Sequence, residues 1–490
     1  MTSQTCDLIL RHGTIIDGSG GAAFKADVAI QGDRLLKVGK LDGMVSKREL
    51  DVSGLAVAPG FIDVHTHDDA SLISRPDMKA KLTQGVTTVI AGNCGISGAP
   101  YTAAGDPPNL LRLVFKSDRF VAPTFGEYVQ KVVDAKPAIN AGFLTGHTTL
   151  RMQVMGEDLN RCASDSEIRE MRGLLEECLK AGVLGLSTGL YYPPARAAST
   201  REVIEIAQPL SQYNGVYTTH MRDEADKVME SLQEALEIGR AIRTPLIVSH
   251  HKCMGQNNFG RSVQTLALMK EARQHQPVAL DVYPYTAGST VLNAEMVAVS
   301  QRILVTWCDP YPQYCARDLN DIAREWGCSP IEVVPKLLPA GAVYFTMDEA
   351  DMTRIMSSPE AMIGSDGLPE DQHPHPRLWG TFPRVLGRYV RERKVLALED
   401  AVYRMTGLSA DRFGLPDRGR IKEGGYADLC IFDPQTVIDT ATFERPIQPA
   451  AGIHHVLVNG QMALENGAPT ATRAGRVLRR TKFSNASGRA

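Results

Sequence analysis

The middle of the chain constrains its fold most. Eight apolar runs of five to seven residues recur there: Phe61–His67, Thr87–Asn93, Ala141–His147, Val183–Gly189, Val216–His220, Leu246–His250, Val278–Tyr283 and Ala361–Asp366. Runs this short, bounded by turn residues, read as buried strands. Helical patterns lie between several of them. Across Ser166–Lys180 the residues Ile168, Met171, Leu174, Leu175 and Leu179 recur close to a 3.6-residue period, and Glu224–Arg240 carries Val228, Leu232, Ala235 and Leu236 on one side. Strands alternating with helices favour a parallel sheet, and eight such units favour a closed (β/α)8 barrel of the TIM type.

The two ends read differently. Asp7-Leu-Ile-Leu-Arg, Gly13-Thr-Ile-Ile-Asp, Asp27-Val-Ala-Ile and Arg34-Leu-Leu-Lys-Val are short strand patterns separated by Gly and Asp turns. Ala427-Asp-Leu-Cys-Ile-Phe-Asp and Val456-Leu-Val-Asn-Gly-Gln resemble them. The expectation is a discontinuous small β-sandwich domain over 1–58 and 415–480, with the barrel over 59–414. The excess chain before the eighth run, 286–351, contains its own helical pattern and reads as a lid-like insertion.

Charge excludes some functions. A net charge of −3 on 490 residues argues against nucleic acid or an anionic membrane as the main partner. The longest uncharged run, Leu82–Gly105, is too polar to span a membrane. The start lacks a basic, then apolar, leader, and the nine cysteines include no CxxC pair, so the expected setting is reducing and cytoplasmic.

In a parallel barrel, chemistry gathers at the C-terminal ends of the strands. Here those ends hold His65 and His67, Asn93-Cys94, His147, Ser187-Thr188, His220, His250, Tyr283 and Asp366. Residues two apart on a strand share a face, so His65 and His67 can reach one ion. Imidazole, thiolate and carboxylate together suit zinc. A single histidine of this kind is more often a bonded core residue; His65, His67, His220, His250 and Asp366 taken jointly reverse that judgement. His147 is a weaker candidate for the periphery of the site. His251 follows His250 directly, so alternation aims it away, and it reads as structural. His373 and His375 lie on the loop after Asp366 and read as cleft or solvated-loop residues.

These residues carry a resemblance. Pro59-Gly-Phe-Ile-Asp-Val-His-Thr-His-Asp-Asp69, the later strand-end histidines and Gly364-Ser-Asp-Gly resemble the metal-dependent amidohydrolase superfamily. Gly92-Asn-Cys-Gly-Ile, Thr219-His-Met-Arg-Asp-Glu, Ser249-His-His-Lys, Tyr283-Pro-Tyr and His375-Pro-Arg-Leu-Trp-Gly are similar to the D-aminoacylases, across nearly the whole chain. The resemblance implies hydrolysis of N-acyl-D-amino acids as small-molecule substrates. It implies a tight zinc on Cys94, His220 and His250, and a weaker second metal position near His65, His67 and Asp366 that Cys94 can bridge.

By the same resemblance Asp366 is the catalytic acid–base. Arg377 and Lys252 clamp the substrate carboxylate, with Tyr192, Tyr283 and Ser289 adding hydrogen bonds. Tyr191, Tyr344 and Met347 line an apolar side-chain pocket, with Ala298 a smaller possible wall. Acidic D-side chains stay open because the insertion contains Arg302. Cyclic-amide or dipeptide hydrolysis would use the same metal set. A non-catalytic relative would be expected to lack several of the six ligand-type residues present here.

Overall fold

The computed structural model describes residues 5–102, 105 and 110–480. Eight parallel strands form one sheet in chain order: Phe61–Asp63, Val86–Ala91, Asn140–Gly146, Gly185–Gly189, Val216–His220, Leu246–Val248, Val278–Val282 and Ala361–Ile363. They coincide with the eight apolar runs. One side chain from most strands points inward, among them Ile62, Ile90, Leu144, Val216, Ile247 and Met362, and Leu408 and Phe413 join the same cluster. Each such side chain contributes about 1.5–3 kcal/mol by leaving water. The outward residues pack under the surrounding helices.

The ring has a seam. Among the described residues no ladder joins the first strand to the last. Backbone-to-backbone contact there includes one bridge, Thr66 to Gly367, and the Asp366 amide donating to the His65 carbonyl at 2.8 Å.

The expected helix over Ser166–Lys180 spans Asp165–Lys180, where Ser164 and Glu167 cap each other reciprocally. The expected helix from Glu224 begins later, at Val228. Asp223 turns the chain first, its carboxylate accepting the Ala225 and Lys227 amides at 2.8 and 3.1 Å. That delay leaves Glu224 in a loop, facing the strand ends.

Nine strands from the two chain ends make one mixed sheet. Ala56–Pro59 joins the halves, pairing parallel with Thr5–Ile15 and antiparallel with Leu429–Phe432. The connection before the last barrel strand holds a separate antiparallel sheet of Ala287–Val291, Ala340–Phe345 and Arg302–Cys308. Helices Leu319–Trp326 and Pro330–Leu337 cover it through Leu319, Ile322, Val333 and Leu337.

Candidate metal centre

The strand-end side chains converge. His65 Nε2 lies 3.3 Å from Cys94 Sγ and 3.4 Å from Asp366 Oδ1. His67 Nε2 lies 3.2 Å from the same carboxylate oxygen, and Cys94 Sγ lies 3.4 Å from His250 Nε2. The ring of His220 sits edge-on to that of His250 at 4.5 Å. All six side chains are buried. Four of them, His65, Cys94, His250 and Asp366, place donor atoms within 4.8 Å of one another. A tetrahedral zinc with bonds of about 2.0–2.3 Å holds its ligands roughly 3.3–3.8 Å apart. The donor set therefore fits zinc, with Cys94 between a pole of His220 and His250 and a pole of His65, His67 and Asp366.

Local backbone geometry serves this convergence. Cys94, His250 and Asp366 all have positive φ, at 52°, 34° and 50°. Non-glycine residues adopt that region at a cost, and such strain clusters at functional sites. Gly92, at φ 82°, lets the Asn93-Cys94 loop pass the neighbouring strand, since a Cβ there would meet the Leu144 carbonyl at 2.2 Å. His65, His67 and His250 lie just past their strands rather than within them.

Electrostatics match the geometry. Burial alone would raise the Cys94 thiol, but His65 and His250 outweigh it and hold it well below the usual thiol range. Burial would also raise the Asp366 carboxyl, yet Arg377, His250 and His65 hold it well below the carboxylate range. The Arg377–Asp366 ion pair spans 2.7 Å.

Two carboxylates missed at the strand ends support the histidines. Glu224 accepts from Lys252 Nζ at 2.8 and 2.9 Å and stands 3.2 Å from His250 Nδ1 and 3.5 Å from His220 Nε2. Asp281 stands 3.2 Å from His65 Nδ1 and accepts the His250 amide at 2.9 Å. Such partners orient ligands and fix their tautomers. Asp281 had a signal, being the only acid inside the apolar run Val278–Tyr283. Glu224 stands in the Thr219–Glu224 stretch, where the helical pattern of Glu224–Arg240 masks it.

Lys252, Tyr283, Tyr192, Ser289, Tyr191 and Tyr344 line the cleft beside the metal-type donors. Arg377 lies under it, its guanidinium 4.5 Å from the Tyr283 ring centre and its Nη2 donating to the Ser289 carbonyl at 3.2 Å. Met347 does not line this cleft. It packs with Tyr283 and Tyr285 and faces a smaller neighbouring cavity, while Tyr344 and Thr346 face the cleft. Arg302 pairs with Asp318 at 3.0 Å and lies outside the cleft. His147 is buried against Glu202 at 3.5 Å, away from these donors. His251 bonds Thr265 at 2.7 Å, and His373 bonds the Phe443 carbonyl at 2.7 Å. His375 Nδ1 accepts the Arg377 amide at 2.9 Å.

Comparison with known proteins agrees. A family model described as "Amidohydrolase family" matches residues 48–276 and 316–463. A D-aminoacylase of Alcaligenes xylosoxydans xylosoxydans is 51% identical over 98% of this chain and 99% of its own. A crystal structure of D-aminoacylase superposes with a TM-score of 0.95 at 51% identity, over 97% of this chain and all of that one. N-acyl-D-glutamate deacylase from Bordetella bronchiseptica, complexed with zinc and a phosphonate mimic of the tetrahedral intermediate, superposes at 0.94 with 42% identity, again over 97% and 100%. With matches of this length, the chain belongs to the amidohydrolase family.

Proposed function

We propose that this chain hydrolyses N-acyl-D-amino acids in a zinc-dependent reaction, releasing a D-amino acid and a carboxylic acid. One observation carries the reading. A single cleft holds a thiolate–imidazole–carboxylate donor set together with Lys252, and Arg377 lies beneath it, 2.7 Å from Asp366. The first part suits amide hydrolysis, and the two cations suit the α-carboxylate of the substrate. The D-configuration comes from the likeness to D-aminoacylase.

Cys94, His220 and His250 would hold the tight ion, with His65, His67 and Asp366 as a second, weaker position. When bound, the ion polarises the scissile carbonyl and acidifies water. Asp366 takes the proton from the attacking water and delivers it to the departing amine nitrogen. Arg377 holds Oδ2, which leaves Oδ1 to do this work.

The tautomer of His250 has a consequence for Lys252. A neutral imidazole that offers its Nε2 lone pair carries its proton on Nδ1. Glu224 accepts that proton at 3.2 Å. Lys252 Nζ, 2.7 Å from the same Nδ1, then has no acceptor there. Its third N–H turns to the substrate carboxylate, while Glu224 keeps the other two. Arg377 Nε has no hydrogen-bond partner among the described residues and is the second free donor.

The side-chain end of the cleft is lined by Tyr191, Met254, Met296 and Tyr344, with no arginine among the lining residues. That supports apolar D-side chains. Amine release from N-acetyl-D-methionine, N-acetyl-D-glutamate and N-acetyl-D-aspartate tests it. The methionine derivative should turn over fastest; a preference for either acidic derivative would overturn the apolar assignment and leave the deacylase reading intact. Nine unpaired cysteines support a reducing, cytoplasmic setting. No helix among the described residues is long and apolar enough to cross a membrane.

A further inference from the structure

Behind the His65–His67 pole lies a buried cation that the mechanism does not use. Lys81 sits in the short helix Lys79–Leu82 and is 0% exposed. An ammonium carries three donors. Two are donated in hydrogen bonds, to Asp63 Oδ2 at 2.8 Å and Ser365 Oγ at 2.9 Å, and Asp68 Oδ2 stands 3.1 Å away as an ion-pair partner. Each acceptor stands one or two residues from a candidate ligand. Asp63 precedes His65 by two, Asp68 follows His67, and Ser365 precedes Asp366. The other oxygen of Asp63 accepts the Ser365 amide at 2.8 Å, directly across the barrel seam.

The seam needs such a device. The other neighbouring barrel strands are held in register by backbone ladders, but the first and last are not. Their separation sets how far His65 and His67 stand from Asp366, now 3.4 and 3.2 Å. We infer that Lys81 is a positioning residue: with Asp63, Asp68 and Ser365 it locks the first and last strand ends, and so sets the second metal pole and the aim of Asp366. This rests on the proposed metal-assisted deacylation, and Lys81 itself touches neither substrate nor ion.

The test is Lys81→Met, read by equilibrium dialysis against zinc and by kcat and KM for N-acetyl-D-methionine. The first zinc, on the Cys94–His220–His250 pole, should be retained. Zinc binding beyond the first equivalent should weaken about 10–100-fold, the usual effect of losing a ligand's support, and kcat should fall about as far. KM should stay within about two-fold, because Lys252 and Arg377 are untouched. Unchanged later zinc binding and kcat with only a lower Tm would overturn the inference, as would loss of the first zinc along with the rest. Should Lys81→Met fail to fold, Ser365→Ala decides. It removes one seam contact and leaves both carboxylates paired; a smaller shift in the same direction supports the role, and wild-type zinc binding and kcat refute it. Zinc affinity is read without turnover, so a wild type inactive on every N-acyl-D-amino acid would sink the proposed function and still leave the Lys81 result readable.

Discussion

The two poles of the metal centre are built in different ways. His220 and His250 extend from strands held in backbone ladders on both sides, Val216–His220 and Leu246–Val248. One carboxylate, Glu224, supports both rings. His65, His67 and Asp366 extend from the two strands that no ladder joins. That pole is held by Asp281, which meets the His65 ring, and by Lys81, Asp63, Ser365 and Arg377, all buried. Where backbone hydrogen bonds fix strand ends, one carboxylate suffices to orient both rings. Where they are missing, ion pairs and side-chain hydrogen bonds must replace them, at a desolvation cost that only a fully satisfied network recovers.

Cys94 stands between the poles, so its loss should matter most. Cys94→Ala should strip the tight zinc and lower kcat by at least about 10³-fold, the loss of several kcal/mol of Lewis-acid stabilisation. Metal analysis and turnover check this; a variant that keeps both zinc and activity would show that the thiolate does not join the poles. Asp366→Ala removes the proton carrier and should cost about 10²–10³-fold in kcat. The first zinc should remain, because Asp366 belongs to the seam pole. Loss of all metal in this variant would mean that the poles are not separable.

Glu224→Gln addresses the laddered pole. It should weaken the first zinc about ten-fold, leaving KM as the second affected quantity because Lys252 loses its anchor. An effect confined to later zinc binding would reverse the assignment of support to poles.

The smallest effect is a dependence on pH beyond the last barrel strand. Burial pushes the Asp371 carboxyl up from 3.8 to about 7, against the pull of Lys116. The folded chain binds this proton more tightly than the unfolded chain. Its contribution to stability is therefore complete below about pH 4 and is lost as pH rises through about 7. Asp371→Asn should raise Tm relative to wild type by about 2 °C at pH 8 and leave it unchanged at pH 4. Equal shifts at both pH values would remove the buried-carboxyl explanation.

Much of this was readable from residue order, and the reasons are physical. A buried parallel strand must be apolar on both faces, so the eight barrel strands stand out as runs. Metal-type donors at strand ends sit where those runs stop, which marks His65, His67, Cys94, His220, His250 and Asp366 as candidates. The supports were harder to see. Glu224 and Lys81 are charged residues in connecting segments, where charge is ordinary, and only the fold carries them inward. Asp63 and Asp281 lie inside apolar runs and were detectable as acids without a solvent face. Met347 shows the reverse case: resemblance puts it in the cleft, while Tyr344 and Thr346 face the cleft and Met347 faces the neighbouring cavity. The seam left no mark, since a missing ladder has no residue type.

The most direct test of the account compares amine release from N-acetyl-D-methionine and N-acetyl-L-methionine, by the chelated protein and after zinc is restored. Release from the D-isomer alone, absent after chelation and recovered with about one zinc per chain, is the predicted result. Equal release from both isomers, or release that survives complete removal of metal, would contradict it.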